Sequence, residues 1–150
     1  MYRKVLVPLD GSQYAQCSLD HVRAIGLGCR VPEIILYRVV ETTVPAADKT
    51  ARPDRAEKQA AAEASDYVNS LTKRLKDEGL QVRGEIGQGK PDEAIIDYAR
   101  KNLVDLIIMS THGRSGVSHW EIGSVARGVV NNATMPVLLV LTAGCRVAQG

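Results

Sequence analysis

The feature that most constrains this chain is a regular alternation of short apolar runs with segments of helical periodicity. Five runs are strand-sized: residues 4–9 (KVLVPL), 33–40 (EIILYRVV), 80–86 (LQVRGEI), 103–109 (LVDLIIM) and 136–141 (PVLLVL). Between them, apolar residues recur three and four apart: Ala15, Leu19, Val22 and Ile25; then Ala64, Tyr67, Val68, Leu71 and Leu75; then Ala94, Ile95, Tyr98 and Ala99; then Ile122, Val125, Ala126, Val129 and Val130. That spacing lines one face of a helix. Strict β-α alternation predicts an α/β fold, a five-stranded parallel sheet with helices on both faces, because parallel strands need right-handed crossovers that lay a helix on the sheet.

Local signals set the boundaries. Asp10-Gly11-Ser12 ends the first strand with a turn and a helix cap, and Gly26 and Gly28 close the first helix. Residues 41–54 are too long for a tight connection and predict an excursion over the surface. The next helix starts near Pro53 or Asp54 and stops at Gly79, and the third opens on Pro91-Asp92-Glu93, with proline in the first turn and acids at the positive end of the dipole. Leu80, Val82, Gly84 and Ile86 alternate with Gln81, Arg83 and Glu85, which suits an edge strand wet on one face. A chain of 150 residues is expected to form one domain over 1–150 with a flexible tail from 143, and to bury roughly 70% of its unfolded surface.

Composition removes several function classes. Lys plus Arg number 19 against 17 for Asp plus Glu, and no basic run exceeds Lys73-Arg74, so nucleic acid is not an expected partner. No apolar run approaches the roughly 20 residues that span a bilayer, and Met1-Tyr2-Arg3-Lys4 leads into a strand and not into a signal peptide, so a cytoplasmic protein without a membrane partner is expected. Cys17, Cys29 and Cys145 are odd in number and widely spaced, which predicts reduced structural thiols. His21, His112 and His119 have no acid or cysteine set at ligand spacing, so no protein-held metal is expected.

Chemistry is expected at the carboxyl ends of the strands, where strand order reverses. Two loops leave such ends: residues 8–12 (PLDGS) and 110–116 (STHGRSG), the latter running on to Gly123-Ser124 with Ser124 near a helix cap. Glycines allow a close backbone approach, and free amides at a helix start attract anions. Read blind, these loops are structural turns or an anion site in equal measure. Neither G-x-x-x-x-G-K-[ST] nor a G-x-G-x-x-G after the first strand is present, which argues against a P-loop ATPase and a nicotinamide-dependent dehydrogenase.

The strings VPLDGS at Val7–Ser12, STHG at Ser110–Gly113, Gly123-Ser124 nine residues further on, GSVARGVV and MPVLLV together resemble the ATP-binding type of the universal stress proteins, over nearly the whole chain. The family's ATP motif, G-x-x-G-x9-G-[ST], is matched except that Ser110 stands for its first glycine. The resemblance implies a Rossmann-like fold with strand order 3-2-1-4-5, and ATP as ligand, with any Mg2+ or Mn2+ carried on its phosphates. It implies that Pro8, Asp10 and the backbone near Val39 hold the adenine end, that Met109 and Ser110 lie by the ribose, and that Gly113, Arg114, Ser115, Gly116, Gly123, Ser124 and Val125 surround the phosphates. It further implies a homodimer through residues 136–141, because so apolar a strand at a sheet edge needs cover.

Several residues keep a second reading. Asp10 also suits a turn or cap, Arg114 a solvated cation, and Trp120 a packing residue. Tyr37 and Arg38 are expected to finish the second strand, with the Arg38 stem packed and its head in water. No catalytic residue is identified. A nucleotide-dependent regulatory module in the stress response is therefore preferred to a slow ATPase or phosphotransferase, which would need a positioned base and strong charge stabilisation.

Overall fold

Residues 1–42, 52, 54–111, 122–142 and 145 are described by a computed structural model. Its strands are β1 (Lys4–Leu9), β2 (Glu33–Val40), β3 (Val82–Gln88), β4 (Leu106–Ser110) and β5 (Val137–Val140), all parallel, in the order β3-β2-β1-β4-β5. The helices are α1 (Leu19–Gly28), preceded by a 3-10 turn at Ala15–Ser18, then α2 (Arg55–Asp77), α3 (Pro91–Lys101) and α4 (Ser124–Asn132). Order and direction agree with the expectation.

Alternation along β1 shows why the sheet needs helices on both sides. Val5, Val7 and Leu9 join one core with Leu19 and Val22 of α1 and Val68, Leu71 and Leu75 of α2. Leu6 points the other way, into a second core with Ile35, Ile107, Ile95, Ile96 and Ala99, closed by Ala126 and Val129 of α4. Each fully buried Val, Leu or Ile contributes about 1.5–3 kcal/mol, and water on either face would forfeit half of that set.

The element ends follow local chemistry. Asp54 caps α2 by accepting a hydrogen bond from the Glu57 amide, and Glu57 reciprocates at the Asp54 amide. This capping box satisfies two of the amides that a helix start leaves without partners. Val82 to Gln88 forms the expected edge strand, and Gly84 has a specific cause there: a Cβ would stand 2.3 Å from Val68 Cγ1, so only glycine lets α2 lie this close.

Three expectations require correction. The run LVDLIIM is not one strand. Leu103 is 83% exposed with φ 55° in the turn after α3, and Asp105 accepts hydrogen bonds from the Arg3 and Lys4 amides, so β4 starts only at Leu106. In α4, Ala126 and Val129 are buried but Val130 is exposed, as is Ile122 just before the helix.

The third correction concerns the thiols. Cys17 and Cys145 are joined in a disulfide, leaving Cys29 as the free thiol. Within the stretch expected to be a flexible tail, Cys145 is therefore tied to the core, while 143–144 and 146–150 lie outside the described residues. Sequence spacing carried no sign of this pairing. The two cysteines are 128 residues apart and meet because β5 exits at the sheet edge where the 3-10 turn follows β1.

The amino end of the sheet is tied by charge. Register places Lys4 opposite Glu33, and Glu33 accepts from Lys4 Nζ at 3.2 Å and from Arg83 Nε at 2.7 Å, while Arg83 also meets Glu85 and the Tyr98 hydroxyl. The Arg83 hydrogen bond, followed by Lys4, holds the Glu33 carboxyl below its usual range against the opposing effect of burial. A depressed carboxyl stabilises the fold above its unfolded pKa near 4.3, and this contribution is lost as pH falls through the folded value. Glu33→Gln is expected to lower stability by about 0.5–1 kcal/mol at pH 7 in urea unfolding, with the difference shrinking as the medium is acidified through the folded pKa of Glu33. A difference that persists in acid would remove the charge interpretation.

Candidate functional site

The chain turns back on itself once in strand order. From β1 it steps outward to β2 and β3, then crosses over to β4 on the far side of β1. The exits of β1 and β4 therefore diverge at the carboxyl edge and leave a crevice between them. A cavity of about 540 Å³ lies there, within the range of small-molecule sites.

Its walls come from the ends of three strands, from three helices and from the 3-10 turn. Pro8, Leu9 and Asp10 follow β1; Tyr37, Arg38, Val39, Val40 and Glu41 end β2; Met109, Ser110 and Thr111 end β4. Gly123, Ser124, Val125 and Ala126 stand at the start of α4, while Pro91 and Ile95 of α3, Ala60 of α2 and Ala15 of the 3-10 turn complete the lining. Of the residues expected at the site, Pro8, Asp10, Val39, Met109, Ser110, Gly123, Ser124 and Val125 are thus brought to one cavity. Gly113, Arg114, Ser115 and Gly116 lie outside the described residues, as do His112, His119, Trp120 and Glu121.

The β1 loop is built by short-range hydrogen bonds. Asp10 Oδ1 accepts from the Ser12 amide at 2.9 Å, and Ser12 Oγ accepts from the Ala15 amide at 3.2 Å. Asp10 therefore makes the turn and lines the cavity, so its two readings are compatible. Gly11 has φ 83°, a left-handed conformation that glycine adopts without strain. A Cβ there would lie 3.1 Å from Arg38 Nη1, so the loop rests directly on the guanidinium. Arg38, expected to pack its stem and keep its head in water, is half-buried: its Nε is buried and the residue lines the cavity.

The opposite wall is pinned with equal care. Ser110 pairs with Val140, the Thr111 amide donates to the Val140 carbonyl at 3.0 Å, and the Gly123 amide donates to the Thr111 carbonyl at 2.8 Å. Ser110 and Thr111 are both buried, and Gly123 is the residue preceding α4. Helix geometry leaves the amides of the first turn, at Ser124, Val125 and Ala126, without intrahelical acceptors. They carry the positive end of the dipole toward the cavity. Ser124 is the first residue of α4, next to the N-cap Gly123, as expected, and the cap carries no side-chain hydrogen bond.

The inner surface is apolar. Leu9, Val40, Ile95 and Met109 are buried residues of its wall, and Tyr37 stacks on Tyr98 with ring centroids 4.5 Å apart. Burial raises the Tyr37 hydroxyl above its ordinary range, so it remains a neutral phenol at physiological pH. On the α2 side the Tyr67 phenol is raised too, first by burial and then by Asp10, which places α2 within electrostatic reach of the β1 loop. One apolar wall and one amide-rich wall suit a ligand with a flat apolar body and an anionic end. Among the described residues, no group of three or more His, Cys, Asp or Glu side chains is placed to hold a metal ion, and no helix is long and apolar enough to cross a membrane.

Sequence reasoning missed Ala15, Tyr37, Arg38, Val40, Glu41, Ala60, Pro91, Ile95 and Ala126. The strand-end rule, applied to β2 as it was to β1 and β4, points to Tyr37 and Arg38. The contributions of α2 and α3 depend on helix packing and have no local signal.

A family model described as "Universal stress protein family" matches residues 1–140. Universal stress protein MJ0577 of Methanocaldococcus jannaschii is 30% identical over 93% of this chain and 95% of its own length. The solved structure of hypothetical protein MJ0577 superposes with a TM-score of 0.78 at 31% identity, covering 93% of this chain and 96% of that one. Two more distant structures share the fold: a universal stress protein in complex with cAMP, TM-score 0.61 at 21% identity over 94% of this chain and 98% of that one, and an Arabidopsis thaliana family protein with AMP bound, TM-score 0.67 at 17% identity over 91% and 90%.

The contact between Gly11 and Arg38 is testable by a double-mutant cycle. Gly11→Ala is expected to destabilise by about 1–2 kcal/mol, from left-handed strain plus pressure on the guanidinium. Arg38→Ala removes the second part, so the double variant should lose at least about 0.5 kcal/mol less than the two single losses combined, measured by denaturant midpoint. Strict additivity would show that the loop does not rest on Arg38.

Proposed function

This chain belongs to the universal stress protein family, and we propose that its cavity binds an adenine nucleotide, ATP first among them. The observation that carries this reading is the juxtaposition, in one 540 Å³ cavity at the sheet's switch point, of an apolar wall with the amino terminus of α4. An adenine ring fits the first, and phosphate oxygens fit the second. The two neighbours whose structures hold cAMP and AMP lend support from the same fold.

In this reading Asp10 and the Val39 backbone face the base, Met109 and Ser110 the ribose, and Gly123, Ser124 and Val125 the phosphates. Gly113 to Gly116 belong to the phosphate end on the strength of the motif. Any Mg2+ or Mn2+ travels with the phosphates. The protein works as a cytoplasmic regulatory module in the stress response, and binding is its function in preference to turnover. Phosphoryl transfer needs a placed base and a strong charge clamp, whereas Asp10 is engaged by its own turn and Glu41 stands at the exposed rim. The edge formed by β5 carries Val137, Leu138 and Leu139, only partly buried, and pairing with a second copy through 136–141 would cover it.

Acid extraction of the purified protein followed by chromatography, with calorimetric titration of ATP, ADP, AMP and cAMP, tests the nucleotide reading. Wild type is expected to bind ATP and magnesium, and a Gly113→Val, Gly123→Val double variant to lose at least about 10-fold in affinity while keeping its circular dichroism. Wild type that ignores millimolar nucleotide would sink the reading, and steady release of ADP would move it toward a slow ATPase.

A further inference from the structure

We propose that Cys17 and Cys145 form a reversible thiol–disulfide site whose oxidation state is read at the cavity; this readout rests on the nucleotide reading above. The argument is one of placement. Cys17 lies in the 3-10 turn that continues the β1 loop, and the chain between it and Asp10 is a run of local hydrogen bonds: Ser12 amide to Asp10, Ala15 amide to Ser12, Gln16 amide to Gln13 and Cys17 amide to Tyr14. Ala15, two residues from Cys17, lines the cavity.

Cys145 lies beyond the end of β5, the strand that borders the other wall. Its amide donates to the Thr142 carbonyl, two residues beyond Val140, whose own carbonyl receives the Thr111 amide; Thr111 in turn receives the Gly123 amide. One covalent bond thus links the wall bearing Asp10 and Ala15 to the wall bearing Ser110, Thr111 and Gly123. Cutting it leaves each wall with its own hydrogen bonds but removes the covalent link between them. A ligand that touches both walls must then order them at its own expense, which lowers affinity.

The chemistry balances with a low-molecular-weight thiol as reductant. Its thiolate attacks the Sγ of Cys145, the less buried residue of the pair, forming a mixed disulfide and releasing Cys17 as thiolate. A second thiol displaces Cys145, so two small thiols lose two electrons and become one small disulfide, while the protein gains two thiols after protonation. Oxidation by a small disulfide is the reverse. A disulfide in a chain expected to meet a reducing compartment is more often a sensing pair than a permanent staple.

The test uses the full chain equilibrated with oxidised or reduced glutathione. Thiol titration is expected to count one thiol, Cys29, in the oxidised form and three in the reduced form, and a non-reducing peptide map to join Cys17 with Cys145. ATP with magnesium, and AMP separately, are expected to bind about 5-fold or more weakly to the reduced form. Cys145→Ser should show the reduced affinity under both conditions, and Cys29→Ser should switch like wild type. Three thiols under oxidised glutathione, or a map that joins Cys29 instead, would overturn the site. Equal affinity in both states would overturn its readout. If neither form binds nucleotide, the nucleotide reading and the readout fail together, and the thiol count alone upholds or removes the bond.

Discussion

Two-sided burial of β1 is the constraint on which the rest of the molecule depends. Val5 and Val7 on one face and Leu6 on the other are at most 1% exposed, so the strand must sit inside the sheet with helices above and below. A parallel strand so placed needs a neighbour on each side, and β2 and β4 provide them. Right-handed crossovers then bring β2 and β3 to one side, and the chain reaches β4 only by crossing back. The crevice at the carboxyl edge is therefore a consequence of how a doubly buried strand acquires its two neighbours.

What was legible in the sequence divides along the same line. Periodicity located each strand and helix because burial on one face or two leaves a repeating mark; the loops after β1 and β4 stood out because turn chemistry is local, and their residues were assigned to a ligand by the family resemblance. Leu103 misled because a hydrophobic residue in a turn looks like strand when the next residues are apolar; its left-handed backbone has no sequence mark beyond the neighbouring Asn102. Arg38 misled for a different reason. A cation near a strand end is ordinarily solvated, whereas here the backbone of Gly11 lies against the guanidinium. The Cys17–Cys145 bond was the least legible, since proximity across 128 residues is a property of topology alone.

The edge strands are managed differently, and the difference bears on assembly. At β3, Arg83 and Glu85 are charged, Gly84 admits α2, and Arg83 is held by Glu33. Charge on an edge discourages pairing with another chain. At β5, the run VLLV carries no charge. Two edges of one sheet thus present opposite invitations to a second chain.

The cavity gains its direction from backbone and not from side-chain charge. Among its described lining, Asp10 and Glu41 are acidic and Arg38 is basic, an assortment that by itself would not favour an anion. Arg38 supports the Gly11 turn, and Asp10 accepts the Ser12 amide, so both already serve the loop. The remaining asymmetry is between the apolar wall of Leu9, Val40, Ile95 and Met109 and the first-turn amides of α4. Backbone amides cannot be titrated away or rotated out of place, and α4 is itself fixed by the Gly123 to Thr111 hydrogen bond and by Ala126 and Val129 in the core. The polarity that these amides give the cavity is therefore insensitive to pH, whatever the side chains around it do.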